Sequence, residues 1–222
     1  MEIGIYRRIA RDSLAGNWGR SILVAFVAAL LGGTASTAGG SINLEDYQQL
    51  MQYEFLVPIL KVLAVYTTIA SIVSFILGGA VQLGYCTYLL KQYDNSEPKF
   101  ADLFSHFSTN FGGGFCLKLL TSIYITLWSM LLIIPGIVKA YAYSMAPYIM
   151  AENPHLTAGQ CLAESQALMK GHKFELFLLD LSFIGWILLS ALTLGIGSIL
   201  LTPYTSAART AFYRDIAPGH IY

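Results

Sequence analysis

Charge is what this chain has least of. Only 12% of its 222 residues are Asp, Glu, Lys or Arg, against roughly 25% in a soluble domain. The 55% that are hydrophobic leave too little polar surface to cover a globule in water. The 13 basic and 13 acidic residues cancel, so no global field draws the chain to nucleic acid. Three cysteines, Cys86, Cys116 and Cys161, cannot all pair, and none stands in a C-x-x-C or Cys/His metal spacing; they read as small buried hydrophobes. Also missing are G-x-S-x-G, H-E-x-x-H, a Walker loop, and a G-x-G-x-x-G opening a helix after a strand. His106, His155, His172 and His220 are scattered over loops and the tail. These gaps leave no catalytic residue, cofactor or metal to assign. No Pro/Ser-rich linker divides the chain, which reads as a single membrane domain over 1–222.

What is present is hydrocarbon. From Lys173 to Tyr213 the chain is almost wholly apolar, folded back at Thr193 to Gly197, with Glu175, Asp180 and Arg209 its only ionisable side chains past the first residue. Such a run reads as a membrane hairpin. The N-terminal 1–19 stretch puts Ile3, Ile5, Tyr6, Ile9 and Leu14 near one helical face, with Arg7, Arg8 and Arg11 among the rest, which predicts an interfacial helix feeding a span to residue 39. A secretory signal peptide is the rival reading of the same stretch. The acidic 41–54 segment is expected outside.

A second span starts near Pro58, suited to a first helical turn, and its apolar residues run to Leu90. That is longer than a hydrocarbon core of about 30 Å requires, so the helix either bends at Gly78-Gly79 or stands out of the membrane at its Lys61 end. Pro98 is expected to open a short helix with Phe100, Leu103, Phe104 and Phe107 on one face, with His106 solvated beside them. The glycines at 112–114 are expected to break it before a third span. Pro135-Gly136 interrupts the next apolar run, either kinking one long helix or turning the chain. Thr157 and Gln160 have the form of a capping box for a helix that Gly171 stops.

If the chain turns at Pro135-Gly136, the fold is an all-α polytopic membrane bundle of about six transmembrane helices with short interfacial helices. The spans fall near 20–39, 57–90, 115–134, 137–152, 174–191 and 194–213, and both termini lie on one side. Of the 13 Lys and Arg, only Lys61 and Lys139 then fall on the other side, so the positive-inside rule makes the first side cytoplasmic. A hairpin centred near residue 192 would level Glu175 with Arg209 and Asp180 with Tyr204. An ionised Asp is costly at membrane depth, so Asp180 is expected to bond Arg209, Tyr204 or Ser206. Glu175, Asp180, Tyr204, Ser206 and Arg209 are thus the candidate intramembrane polar cluster, and Pro135 and Gly136 the candidate helix turn.

The stretches LLIIPGIVKAYAYSMAPYIMAENP, SQALMKGHKFELFLLDLSFIGW, LTLGIGSILLTPY and FYRDI resemble the DUF975 family of bacterial multi-pass membrane proteins, a domain of unknown function. A more distant similarity is to membrane domains that accompany glycerophosphodiester phosphodiesterases, in the IPG turn and the S-x-x-L-x-x-G stretch. The DUF975 resemblance implies an integral protein of the bacterial cytoplasmic membrane with no assigned activity or cofactor. The reading favoured is a non-catalytic scaffold or accessory partner of a membrane complex, or a lipid-organising protein. Its partners are then the lipid bilayer and another membrane protein or a second copy. Transport of a small solute, peptide or lipid is the second reading and an intramembrane lipid enzyme the third.

Overall fold

An apolar chain removed from water must bond its backbone within itself, and helices do so locally. The computed structural model describes residues 3–14, 18–30, 57–94, 96–192 and 196–217, and among them every regular element is helical. In order these are α1 (Ile3–Leu14), α2 (Trp18–Leu30), α3 (Val57–Tyr93), a 3-10 turn (Phe100–Phe104), α4 (Ser105–Thr109), α5 (Phe111–Leu131), α6 (Ile133–Tyr143), α7 (Ala146–Glu152), α8 (Ala158–Leu168), α9 (Lys173–Leu181), α10 (Ile184–Leu192) and α11 (Ile196–Ile216). The first expected span beyond residue 30, the acidic 41–54 segment and the turn at 193–195 lie outside the described residues. Two stretches, Val65–Tyr93 and Phe111–Leu131, are long and apolar enough to cross a membrane. The expected 137–152 and 174–191 spans are each divided, between α6 and α7 and between α9 and α10.

The 37 residues of α3 make a rod of about 55 Å, and its two halves live differently. Val62, Val65, Tyr66, Ile69, Ile72 and Val73 are exposed, whereas Val81, Leu83, Tyr85, Tyr88, Leu89 and Leu90 are buried. Gly78-Gly79, one of two sites where α3 was expected to accommodate its length, does not interrupt it. Gly79 instead lets α5 touch α3 through the backbone, for a Cβ there would lie 2.4 Å from the Gly114 oxygen. Gly84 does the same for the 3-10 turn, where a Cβ would come within 2.0 Å of the Leu103 oxygen. Small residues at a crossing permit such approach.

Several sequence signals act as read. Thr157 Oγ1 accepts from the Gln160 amide at 3.4 Å while Gln160 Oε1 accepts from the Thr157 amide at 2.8 Å, and Gly171 adopts φ 96° after α8. Others do not. Lys99 is extended, so the helix expected from Pro98 starts only at Phe100 and as a tighter 3-10 turn. The 112–114 glycines sit inside the first turn of α5, because the Asn110 side chain caps Gly113 at 3.2 Å and Gly114 is needed against Gly79. The N-terminal helix packs along α11 through Tyr6, Ala10 and Leu14, all buried, with Tyr6 edge-on to Phe212 at 5.5 Å.

Between α5 and α6 the chain reverses on one extended residue, Leu132 (φ −162°, ψ 140°). Pro135 lies in the first turn of α6, where its missing donor has no intrahelical partner to lose. Gly136 lies against α5, where a Cβ would meet Ser129 Oγ at 2.3 Å.

These contacts generate a paired test. Gly84→Ala should lower the unfolding midpoint in detergent micelles by the roughly 1–3 kcal/mol that overpacking costs. Gly159→Ala, which meets nothing within 4 Å, should raise it by about 0.5–1 kcal/mol through helix propensity; equal effects would remove the backbone contact from the account.

Candidate functional site

Ion-paired side chains gather at one end, around the last turns of α3 and the ends of the helices packed on it. Asp180, one residue short of the end of α9, accepts from Arg209 of α11 through Nε (3.1 Å) and Nη2 (2.8 Å). Two parallel bonds of this kind are the strong form of an Arg–carboxylate pair. The Tyr141 hydroxyl of α6 donates a third bond at 3.1 Å, so one carboxylate ties three helices.

The other members of the expected cluster do not join it. Glu175 pairs with His172 three residues earlier, at 2.8 Å. Tyr204 donates to the Arg7 carbonyl at 3.2 Å and stands edge-on to Phe183 at 5.3 Å. The Ser206 carbonyl accepts from Thr210 at 2.9 Å. The expected levels are off because the 174–191 segment is not one helix: α9 ends at Leu181 and α10 begins at Ile184. Asp180 thereby stands level with Arg209, the first of its three expected partners, and not with Tyr204.

A second cluster was missed by sequence reasoning. Arg214, only 5% exposed, bonds Glu152 at the end of α7 and Asp94 just beyond α3. Tyr213 donates to the other Glu152 oxygen at 2.5 Å and stacks on Tyr148 at 5.2 Å. Three helix C-termini, each with partial negative charge from unpaired carbonyls, converge on this guanidinium. The only signal in the sequence was an Arg and a Glu at the ends of apolar runs.

A third group clamps the same end of α3. Gln92, buried, exchanges bonds with Ser21 of α2 and donates to the Ser13 carbonyl of α1 at 3.0 Å. Lys91 reaches Asp102 at 2.6 Å, whose other oxygen accepts from the Lys99 amide at 2.8 Å. His106, expected in solvent, is buried and bonded to Thr87 at 2.9 Å. Burial raises the Asp102 pKa, but the Lys91 bond and the Lys99 amide outweigh it and hold the carboxyl below its usual range. Burial pushes His106 down and the Cys161 thiol up to about 11, so this cysteine is protonated at neutral pH. Among the described residues no group of three His, Cys, Asp or Glu could hold a metal ion.

The arrangement defines a class: an all-helical protein with a charge-bonded base and two stretches of membrane-crossing length and hydropathy. The chain belongs to the family described as "Protein of unknown function (DUF975)", which matches residues 2–141 and 130–219. No curated protein and no solved structure matches it.

Two predictions follow from the base. Arg214→Gln should cost about 3–5 kcal/mol in micelle unfolding, the usual result of stripping one partner from a buried pair. Arg209→Gln, whose side chain is 45% exposed, should cost about 1 kcal/mol or less; the reverse order would show that the buried pair is not the stronger tie.

Acid should loosen the 100–107 segment in two steps. The unfolded chain binds more protons than the fold at both sites, so stability falls with pH: first below about 6.5 as His106 is forced to charge, then below about 4 as Asp102 loses its pairs. Hydrogen-exchange protection factors of 100–107, corrected for the intrinsic pH dependence of exchange, should fall between pH 7 and pH 5, and His106→Gln should abolish that first step alone.

Proposed function

We propose that this protein is a polytopic component of the bacterial cytoplasmic membrane that serves as a non-catalytic partner in a membrane assembly, with both termini on the cytoplasmic face. The supporting observation is the division of its surface. Large exposed apolar side chains crowd the first half of α3, the facing ends of α5 and α6, and α10, where Trp186, Ile187, Leu188 and Leu189 are all open. The ion pairs gather around the opposite end. Left in water, each large apolar side chain forgoes roughly 1.5–3 kcal/mol, and hydrocarbon removes that penalty. The base then carries the basic N-terminus, the C-terminus and the 92–112 and 153–173 connections, the side favoured by the positive-inside rule.

A scaffold reading follows from how the charges are used. Arg214, Arg209 and Lys91 each bond carboxylates that hold helices together. A transport reading draws on the partly exposed Asp180–Arg209 pair, and Asp180→Asn separates the two. Normal folding with a lost cellular phenotype would favour transport.

For topology, the native cysteines are replaced and single cysteines probed with an impermeant maleimide. Asp46→Cys should label in intact cells and Gln160→Cys only in inverted vesicles; the opposite pattern, or equal labelling, overturns the orientation. Co-purification of a defined membrane complex with the tagged full chain supports the scaffold role, and recovery of the chain alone from mildly solubilised membranes counts against it.

A further inference from the structure

The α5–α6 hairpin ends in the most exposed apolar surface among the described residues. Met130 is 82% exposed, Ile134 76% and Leu132 66%, and between Leu127 and Val138 there is no ionisable side chain. The hydroxyl of Ser129, the sole polar side chain in that interval, lies beneath Gly136. A loop that emerges into water on the far side of a membrane has no reason to be so apolar.

The backbone of the tip is closed as well. The Leu132 amide donates to the Trp128 carbonyl at 3.1 Å and the Leu132 carbonyl accepts from the Gly136 amide at 3.3 Å. Pro135 brings no donor to the first turn of α6. One residue outside helical geometry is close to the minimum for a reversal, which suits a turn in a medium that cannot solvate backbone groups.

Below the tip stands a belt of the side chains that mark a membrane–water boundary. Lys139 Nζ lies over Trp128 at 5.1 Å and Tyr143 at 5.8 Å, Tyr124 stacks on Tyr143 at 6.0 Å, and Lys139 donates to Gln166 Oε1 at 3.1 Å. Gln166 belongs to α8, and Asn110 at the foot of α5 donates to the Pro154 carbonyl just ahead of α8 at 3.0 Å. Thus α8 runs beside the hairpin up to Lys139, with Gln160 and Glu164 exposed. Lys139 stands seven residues from Leu132, about 10 Å at about 1.5 Å each, against about 30 Å of hydrocarbon.

We propose that the α5–α6 hairpin is a re-entrant wedge: it enters one leaflet from the side of the charged base, turns at Leu132 among acyl chains, and returns to the same side with Lys139, Trp128 and Tyr124 at the headgroups. The occupant of this surface is the hydrocarbon of a single leaflet, and the Lys139 ammonium faces lipid phosphate. In this arrangement Lys139, which the six-span reading puts on the other side, stands on the side of the base. Both termini still share a side, since a hairpin that crosses twice and one that never crosses leave the rest of the path unchanged. The inference rests on the membrane reading above.

The test uses the full chain without its native cysteines, with single Leu132→Cys or Ile134→Cys and an impermeant maleimide. The expected result is loss of labelling in both intact cells and inverted vesicles, with full labelling after detergent denaturation. Labelling from outside means the hairpin crosses, and labelling in inverted vesicles means it lies in aqueous cytoplasm; either overturns the wedge. Protection by protein instead of lipid is resolved with a fluorophore on Leu132→Cys in vesicles. A spin label on lipid acyl chains should quench it more than one on headgroups, and equal or reversed quenching overturns the wedge. Failure of the membrane reading looks different: alkaline carbonate would then strip the protein from membranes whatever the labelling.

Discussion

Everything at the base depends on placing one guanidinium where three helices end. The C-terminal turns of α3, α7 and α11 each present unpaired carbonyls, and Asp94 and Glu152 add formal negative charge beside them. Without Arg214 these ends repel; with it they converge, and Tyr213 and Tyr148 close the gap as a stacked pair. Arg suits the position better than Lys because its fork serves two carboxylates at once. Convergence there fixes the lower half of α3 as a post, and α1, α2 and the 3-10 turn dock on it through Gln92, Ser21 and the Lys91–Asp102 pair.

The same post explains why one half of the molecule packs and the other does not. Where α3 carries Gly79 and Gly84, neighbours reach its backbone and bury its side chains. Above Gly79, Ile69, Ile72 and Val73 are exposed, and among the described residues no glycine contact of this kind brings a neighbour onto them. A helix stable in both settings needs only its own hydrogen bonds, which is why so uniform a rod is tolerated.

Much of this was legible, and the divisions are instructive. Helicity, the Thr157 cap and the Gly171 stop are local features, written in adjacent residues. Reversal near Pro135-Gly136 was open between a turn and a kink, because proline and glycine permit both; contact of Gly136 with Ser129 and of Tyr124 with Tyr143 settles the local geometry as a hairpin. Arg214 with Glu152 could not be read, since partners 62 positions apart leave no periodic trace. The placement of Glu175, Tyr204 and Ser206 around Asp180 failed for a related reason. It assumed a straight helix through Ser182-Phe183, and the break there is set by Phe183 burying itself beneath Arg7 and against Tyr204.

That break also bears on what Asp180 can do. By ending α9 at Leu181 the chain turns Asp180 toward Tyr141 and Arg209, while α10, which starts at Ile184, carries no ionisable side chain. A carboxylate that carries protons has to exchange partners between two accessible states. Asp180 accepts two bonds from one guanidinium and a third from a phenol, and its partners sit on helices fixed by the core beneath them: Tyr143 and Ala142 on α6, Ala208 and Phe212 on α11. Alternation would require α6 or α11 to move against that packing. The geometry therefore favours a clasp that closes the side of the base left open by the α9–α10 break, and it places the cost of opening in the core rather than in the ion pair itself.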